Sequence, residues 1–213
     1  VPEQTEAWIG SLRALDPDLT FRVWPDWGDP EEIDFIIVSG SIPGDLAIFR
    51  NAKAIQSTWA GVNALLRGKF PAGVPIARMV DRGLSANMVE YLVFHTLDAL
   101  RQGRRLRAAQ REAEWLELPL HWARDFPVGI LGLGTLGRDT AEKLQRLGFP
   151  VRGWSRTPKT VDGVASFAGQ DQLAEFLKPL RLLICLLPLT DETEGILNGS
   201  LFAGLPDGAI LVN

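Results

Sequence analysis

A G-x-G-x-x-G pattern at residues 132–137 most constrains what this chain can fold into. It follows an apolar run of strand length and opens a segment with helical spacing. In that context Gly132 permits a tight turn, Gly134 lets the backbone approach a pyrophosphate, and Gly137 lets the helix pack against the strand. A helix N-terminus also offers free N–H groups and a positive dipole to phosphates. The pattern therefore predicts a dinucleotide site, and the alternative is a strand-to-helix turn without a ligand.

The residues after the next predicted strand indicate which dinucleotide is bound. About 20 residues after the glycine pattern, NAD-binding domains place an acid that accepts hydrogen bonds from the ribose. Here the chain instead carries Ser155, Arg156, Thr157 and Lys159, with no acid among residues 154–159. A hydroxyl and two cations suit the 2′-phosphate of NADP, a dianion that the planar fork of arginine binds well. We expect NADP, with NAD possible; the alternative is a solvated turn with incidental charge.

Composition excludes several other classes of protein. The 213 residues are 46% hydrophobic and 23% charged, as in folded globular proteins. Because 26 acidic residues outnumber 22 basic ones, we expect no nucleic-acid or membrane partner that binds through bulk charge. One cysteine, Cys185, forms neither an internal disulfide nor a zinc cluster, which indicates a reducing cytoplasm and no metal. No apolar run reaches the roughly 18 residues of a membrane span.

The order of predicted elements indicates two α/β lobes. Some 130 residues precede the glycine pattern, so a substrate lobe is expected first and a cofactor lobe second, with catalysis in the cleft between them. Strands are predicted at 19–24, 33–38, 52–57, 127–131, 150–154, 164–167, 182–187 and 209–212. Helices are predicted at 6–15, 45–49, 85–115, 135–147 and 170–177. Since the chain opens on a helix, we expect the first strand to be missing.

The domain boundary is placed at a long linker helix. We predict a substrate-binding lobe over 1–84 and a dinucleotide-binding domain over 85–213 that includes a helix over 85–115. Ser85 or Asn87 is the candidate cap of this helix. Five arginines in its second half are interpreted as a solvated face, with a subunit contact as the alternative. They are Arg101, Arg104, Arg105, Arg107 and Arg111.

Several ordered segments together resemble the D-isomer-specific 2-hydroxyacid dehydrogenases, and more closely their glyoxylate/hydroxypyruvate reductase A branch. The matching segments are 60–63, 87–91, 128–137, 148–159, 186–198 and 205–213. The resemblance implies an α/β fold in which a flavodoxin-like lobe is followed by a Rossmann doubly wound parallel sheet, incomplete at the C-terminus. It also implies a homodimer that reduces small 2-keto acids, glyoxylate or hydroxypyruvate, to 2-hydroxy acids.

The resemblance also assigns site residues. Backbone N–H groups of Ala60, Gly61 and Val62 would bind the substrate carboxylate, with a plain strand-to-helix turn as the alternative, and Asn63 departs from the usual aspartate. Met88 would contact the nicotinamide, with a core methionine as the alternative. The cofactor residues complete the set. They are Gly132, Gly134, Thr135, Leu136, Gly137, Ser155, Arg156, Thr157, Lys159, Leu187, Pro188 and Thr193.

The catalytic residues of the family do not match any position in this chain. The resemblance places an arginine, a glutamate and a histidine beyond Asn213, so we expect the 213 residues alone to lack turnover. His95 and His121 are not expected to replace them. Two alternatives remain: a non-catalytic nucleotide-sensing scaffold on the same fold, or another enzyme with a mid-chain dinucleotide domain, such as an alanine dehydrogenase or an adenosylhomocysteine hydrolase.

Overall fold

Two parallel sheets lie in two separate units of the chain. The computed structural model describes residues 2–40, 44–61, 65 and 67–213. The chain divides into a first unit, Val1–Val80, and a second unit, Asp81–Asn213. Helices alternate with parallel strands in the second unit, which confirms the predicted α/β class. Val62 and Asn63 lie outside the described residues.

The first unit contains a small parallel sheet. Its elements are helix α1 (Pro2–Leu15) and strands β1 (Phe35–Val38), β2 (Ala54–Ser57) and β3 (Ile76–Ala77). The strand order is β1-β2-β3, and Ile55 in the central strand is fully buried. A 3-10 turn at Leu46–Ile48 begins where the Asp45 carboxylate accepts a hydrogen bond from the Ala47 N–H. Side chains of β1, β2, the 3-10 turn and the loops beside them form one apolar core, which explains why these short segments are ordered.

The strand predicted at 19–24 is wrong. Residues 19–23 are irregular and a turn begins at Trp24. The Arg22 guanidinium pairs with Glu32 and donates to the Trp27 carbonyl, so this segment is held by side-chain contacts instead of a strand partner. Strand β3 was not predicted, because its two residues are too few to show alternation.

The second unit contains a five-stranded parallel sheet with the order β6-β5-β4-β7-β8. In chain order this is 3-2-1-4-5, as in the Rossmann fold. Alternate residues of β4 face opposite sides: Val128 and Ile130 join one buried cluster, and Leu131 joins the other. The strands are β4 (Val128–Leu131), β5 (Val151–Ser155), β6 (Ala165–Ala168), β7 (Leu182–Cys185) and β8 (Ile210–Val212). The helices are α2 (Arg82–Leu100), α3 (Gly103–Arg111), α4 (Thr135–Arg146), α5 (Leu173–Leu177) and α6 (Gly199–Ala203).

The single linker helix predicted over 85–115 is also wrong, because the segment forms α2 and α3. The break lies at Gln102, whose left-handed backbone (φ 55°) ends the regular ladder. The Asp98 carboxylate accepts two hydrogen bonds from the Arg107 guanidinium across the break, at 2.6 and 2.8 Å. A Cβ on Gly103 would lie 1.9 Å from an Asp98 oxygen, so only glycine leaves room for this pair.

The ends of the linker segment differ from the prediction as well. The cap of α2 is Asp81, whose carboxylate accepts from the N–H groups of Gly83 and Leu84, and neither Ser85 nor Asn87 caps it. Helix α3 ends before Ala113, which has a positive φ of 55°. Within the described part of the chain, no helix is long and apolar enough to cross a membrane.

Candidate functional site

The crevice at the carboxyl end of β4 is the natural ligand site of the second unit. Strand β4 pairs with β5 on one side and with β7 on the other, so the chain crosses over in opposite directions from this point. Ligands of open parallel sheets bind at such a switch point. The Gly132 N–H donates to the Trp154 carbonyl and the Leu186 N–H donates to the Leu131 carbonyl, both at 2.8 Å. The ends of all three strands are thereby fixed around residues 132–137, the glycine loop.

Each glycine of the loop has a different physical reason to be glycine. Gly132 has φ +106°, and an added Cβ would lie 3.1 Å from the backbone carbonyl of Leu186. A Cβ on Gly137 would lie 2.0 Å from the Gly132 oxygen, so its absence lets α4 pack onto the loop. A Cβ on Gly134 would meet no heavy atom within 4 Å. The space above Gly134 is therefore open, as an approaching pyrophosphate requires.

The N-terminus of α4 opens onto the same space. Gly134 occupies the cap position and provides no side-chain hydrogen bond to the helix. The N–H groups of Thr135 and Leu136 belong to the first turn, which has no partner within its own helix. Thr135 is exposed and Leu136 is half-buried. An uncapped helix end beside a glycine cradle suits a phosphate group.

The turn after β5 presents two cations. The buried Ser155 hydroxyl donates to the Thr157 carbonyl at 2.7 Å, so this serine holds the turn. The turn leaves the Arg156 side chain 74% exposed. The Lys159 ammonium reaches back and donates to the Leu133 carbonyl of the glycine loop at 3.2 Å. The structure thus brings the lysine to the glycine loop and leaves the arginine side chain exposed.

The loop after β7 completes the crevice. The Leu187 side chain lies beside Gly132, and the exposed Pro188 follows it. The Thr193 hydroxyl donates to the Pro188 carbonyl and accepts from the Thr190 N–H at 2.8 Å, which closes the loop into a tight turn. Thr193 is therefore placed to shape this loop.

Glu192 in the same turn forms an ion pair with Arg156. The two residues are 36 positions apart in the chain. Sequence reasoning missed Glu192, since nothing in its local pattern indicates which cation it meets.

Met88 is half-buried in α2, one turn before Leu92. Leu92 packs in the same apolar cluster as Ile130 and Ile184. This position is compatible with a core methionine, and its contact with a nicotinamide remains a prediction.

The first unit carries the predicted substrate-binding turn. The buried Ser57 hydroxyl accepts from the Trp59 N–H at 3.1 Å, and the Trp59 carbonyl accepts from the Met79 N–H at 3.1 Å. These bonds fix the chain just before Ala60, which is half-buried, and Gly61, which is exposed. A Cβ on Gly61 would meet no heavy atom within 4 Å, and Val62 lies outside the described residues.

A shallow cavity lies at the carboxyl end of this small sheet. Its volume is about 310 Å³. Its lining residues are Ala7, Trp8, Ser39, Thr58, Trp59 and Met79. The cavity adjoins the Ala60-Gly61 turn along the chain, so the first unit offers a pocket beside open backbone.

Cys185 does not offer an alternative catalytic centre. It is half-buried at the end of β7, and burial raises the pKa of its thiol, so the reactive thiolate is disfavoured at neutral pH. Among the residues that the structure describes, no group of three or more His, Cys, Asp or Glu side chains could hold a metal ion.

The Rossmann strand order, the open glycine cradle and the uncapped helix together define a dinucleotide-binding domain. Comparison with known proteins agrees, since residues 93–213 match the NAD binding domain of the D-isomer specific 2-hydroxyacid dehydrogenases. Glyoxylate/hydroxypyruvate reductase A of Serratia proteamaculans strain 568 is 42% identical over 214 residues, covering 98% of this chain and 68% of that protein. This chain belongs to the D-isomer specific 2-hydroxyacid dehydrogenase family.

Solved structures extend the similarity to the fold. A D-isomer specific 2-hydroxyacid dehydrogenase from Xanthobacter autotrophicus Py2, in complex with NADPH and MES, superposes with a TM-score of 0.87 and 38% identity. The match covers 97% of this chain and 67% of that one. An NADPH-dependent glyoxylate/hydroxypyruvate reductase from Sinorhizobium meliloti, with NADP and sulfate, gives a TM-score of 0.78 and 35% identity over 96% and 65% of the two chains. The chain thus spans about two thirds of the length of these relatives.

Proposed function

We propose that the protein is an NADPH-dependent reductase of small 2-keto acids, of the glyoxylate or hydroxypyruvate class. The observation that carries the proposal is the open cradle at Gly134, flanked by Arg156 and Lys159 where an NAD-binding domain would carry an acid. Two observations support it: the Serratia and Sinorhizobium relatives are glyoxylate/hydroxypyruvate reductases, and the Xanthobacter and Sinorhizobium structures contain NADPH and NADP.

Residues of the second unit would hold the cofactor. The N–H groups of Thr135 and Leu136 belong to the first turn of α4, next to the open space at Gly134, and would donate to the pyrophosphate. Lys159 lies at the carbonyl of Leu133 and adds positive charge on the same loop. Ser155, through its bond to the Thr157 carbonyl, shapes the turn from which Arg156 would bind the 2′-phosphate.

Residues of the first unit would hold the substrate carboxylate. Backbone N–H groups at Ala60, Gly61 and Val62 suit this task because small residues let an anion approach the main chain. The Ser57 and Trp59 hydrogen bonds support the turn at its start. Bound NADPH supplies the hydride that reduces the keto carbon of the substrate.

The proposal assigns no proton transfer to these 213 residues. The family resemblance matches its catalytic arginine, glutamate and histidine to no position among residues 1–213, so we propose no residue of this sequence for the proton transfer. Ordinary NADPH oxidation with glyoxylate by residues 1–213 would require a catalytic group among them and would contradict this interpretation of the resemblance.

The binding half of the proposal can be tested on the chain itself. Titration of NADPH and NADH, followed by tryptophan fluorescence, is expected to give tighter binding of NADPH. Arg156→Ala is expected to weaken NADPH binding about tenfold and to leave NADH binding nearly unchanged, because bonds to a phosphate dianion are among the stronger ones.

Arg146→Ala is the matched control. It removes an equally exposed arginine that pairs with Glu142 near the far end of α4, roughly 15 Å from the glycine loop. Equal affinities of the unchanged protein for NADPH and NADH would remove the NADP assignment.

We also propose a cytoplasmic homodimer whose contact includes α2 and α3. Phe94 is 60% exposed and Leu106 is 42% exposed on these helices, and both would supply apolar surface to a subunit contact. Sedimentation equilibrium is expected to give twice the chain mass, and Phe94→Glu is expected to shift the protein towards the monomer. A monomer at all concentrations would contradict the proposal.

A further inference from the structure

We infer that Glu192 is a specificity-determining residue that competes with the 2′-phosphate of NADPH for the Arg156 side chain. The inference rests on the proposed use of NADPH. Glu192 lies in the turn after β7, where the family resemblance assigns Leu187, Pro188 and Thr193 to the cofactor but gives no residue a role in charge selectivity.

The ion pair between Arg156 and Glu192 lies at the carboxyl end of the sheet. Arg156 follows β5 directly, and Glu192 lies in the loop after β7. Strands β5 and β7 flank β4 on opposite sides. The pair therefore joins two loops across the carboxyl end of β4, where the glycine cradle lies. The Glu192 carboxylate therefore pairs with the guanidinium that is proposed to bind the 2′-phosphate of NADPH.

The two partners differ in how firmly they are held. Glu192 lies in a turn closed by the Thr193 hydroxyl and by the Glu194 N–H, which donates to the Thr190 carbonyl at 2.8 Å. The Arg156 side chain is long and 74% exposed. The arginine side chain can therefore leave the carboxylate, whereas the hydrogen-bonded main chain of the turn keeps Glu192 near the mouth of the crevice.

The charge of each cofactor determines whether it competes with Glu192 for the Arg156 side chain. The 2′-phosphate is close to a dianion at neutral pH, and it would take the place of one carboxylate on the guanidinium fork. NADH has no charged group at this position, so its binding does not require Arg156 to leave Glu192. Lys159 lies on the Leu133 carbonyl and outside the pair, so its attraction to phosphate is not cancelled.

The exposure of the pair sets the size of the effect. With side chains 74% and 64% exposed, the ion pair is screened by water and by salt. Exposed pairs change an equilibrium constant by at most about fivefold. Removing the competitor is therefore expected to tighten NADPH binding about two- to fivefold.

The experiment is a set of binding titrations with Glu192→Gln, Glu194→Gln, Arg156→Ala and the double variant E192Q/R156A. In E192Q the Kd for NADPH is expected to fall about two- to fivefold, while the Kd for NADH changes less than twofold. Glu194→Gln removes the same charge two residues away, so it is expected to change neither constant. In the Arg156→Ala background, E192Q is expected to have no further effect. Thermal melts verify folding, and Glu192→Ala replaces E192Q if that variant does not fold.

The outcomes separate this inference from the proposed function. If E192Q binds NADPH with the same Kd as the original protein, and the original protein prefers NADPH, the role of Glu192 is overturned and the proposed function stands. If E194Q binds NADPH more tightly to the same extent as E192Q, the effect is one of bulk charge. If E192Q still tightens NADPH binding in the Arg156→Ala background, the arginine is not the group for which Glu192 competes. Either result overturns the inference. Failure of the unchanged protein to bind NADPH overturns the proposed function, and the role of Glu192 with it.

Discussion

Adding one methyl group at two glycines of the same loop is expected to have opposite consequences. At Gly137 the new Cβ would lie 2.0 Å from the backbone oxygen of Gly132. Ordinary contacts of a Cβ begin near 3.4 Å, so α4 or the loop would have to move by more than 1 Å. At Gly134 the new Cβ would meet no heavy atom within 4 Å. The first change therefore tests packing, and the second tests ligand access.

The expected change in the free energy of unfolding for Gly137→Ala is the sum of two opposing contributions. Alanine inside a helix is favoured over glycine by about 1 kcal/mol. Overpacking costs about 1–3 kcal/mol, and the upper end applies because the group met is a backbone carbonyl that cannot rotate away like a side chain. We expect a net loss of about 2 kcal/mol in the free energy of unfolding. For a domain of this size that lowers the melting temperature by roughly 5–10 °C.

Gly134→Ala is expected to leave the melting temperature nearly unchanged. Its backbone (φ −77°, ψ −165°) is accessible to alanine, and no side-chain cap is lost. The methyl group would instead enter the space assigned to the pyrophosphate, and we expect NADPH binding to weaken at least tenfold, or about 1.4 kcal/mol. The assays are thermal unfolding followed by circular dichroism and titration of NADPH by tryptophan fluorescence. A G137A variant as stable as the unchanged protein, or a G134A variant with full affinity, would refute the reasoning.

Two further predictions concern stability. Asp98→Asn is expected to lower the free energy of unfolding by about 1 kcal/mol at pH 7, because it breaks the bidentate pair with Arg107. The hydrogen bond from Arg107 lowers the pKa of Asp98, so this contribution is present above the unfolded pKa of about 3.9 and is lost as pH falls through the folded value. The difference between the urea midpoints of the two proteins should therefore shrink as pH falls below the unfolded pKa, and a constant difference would contradict this assignment. Ser57→Ala is expected to cost about 1 kcal/mol in a urea titration, since it removes the hydroxyl of a buried serine that accepts from the Trp59 N–H, whereas Ser166→Ala, at an exposed serine, should cost little.

The sequence determined the local elements and the loop chemistry of the second unit. An apolar run followed by three spaced glycines has few solutions, because the tight turn, the close approach of a pyrophosphate and the packing of the helix each require glycine at one position. Helix α4 and strands β4 to β8 accordingly lie within a few residues of their predicted positions. The absence of an acidic residue after β5 could also be read from the sequence, because it concerns one position at the end of a strand.

Tertiary structure alone decided the contacts between segments distant in the chain. The sequence pattern could not place the break at Gln102, because a helix-like composition continues across it, and the break depends on the Asp98–Arg107 pair and on space at Gly103. Nor could it join Arg156 to Glu192, since the order of the strands brings together two loops 36 residues apart. Local periodicity reports which face of an element is buried, whereas the partner of an exposed charge is fixed only when the sheet is assembled.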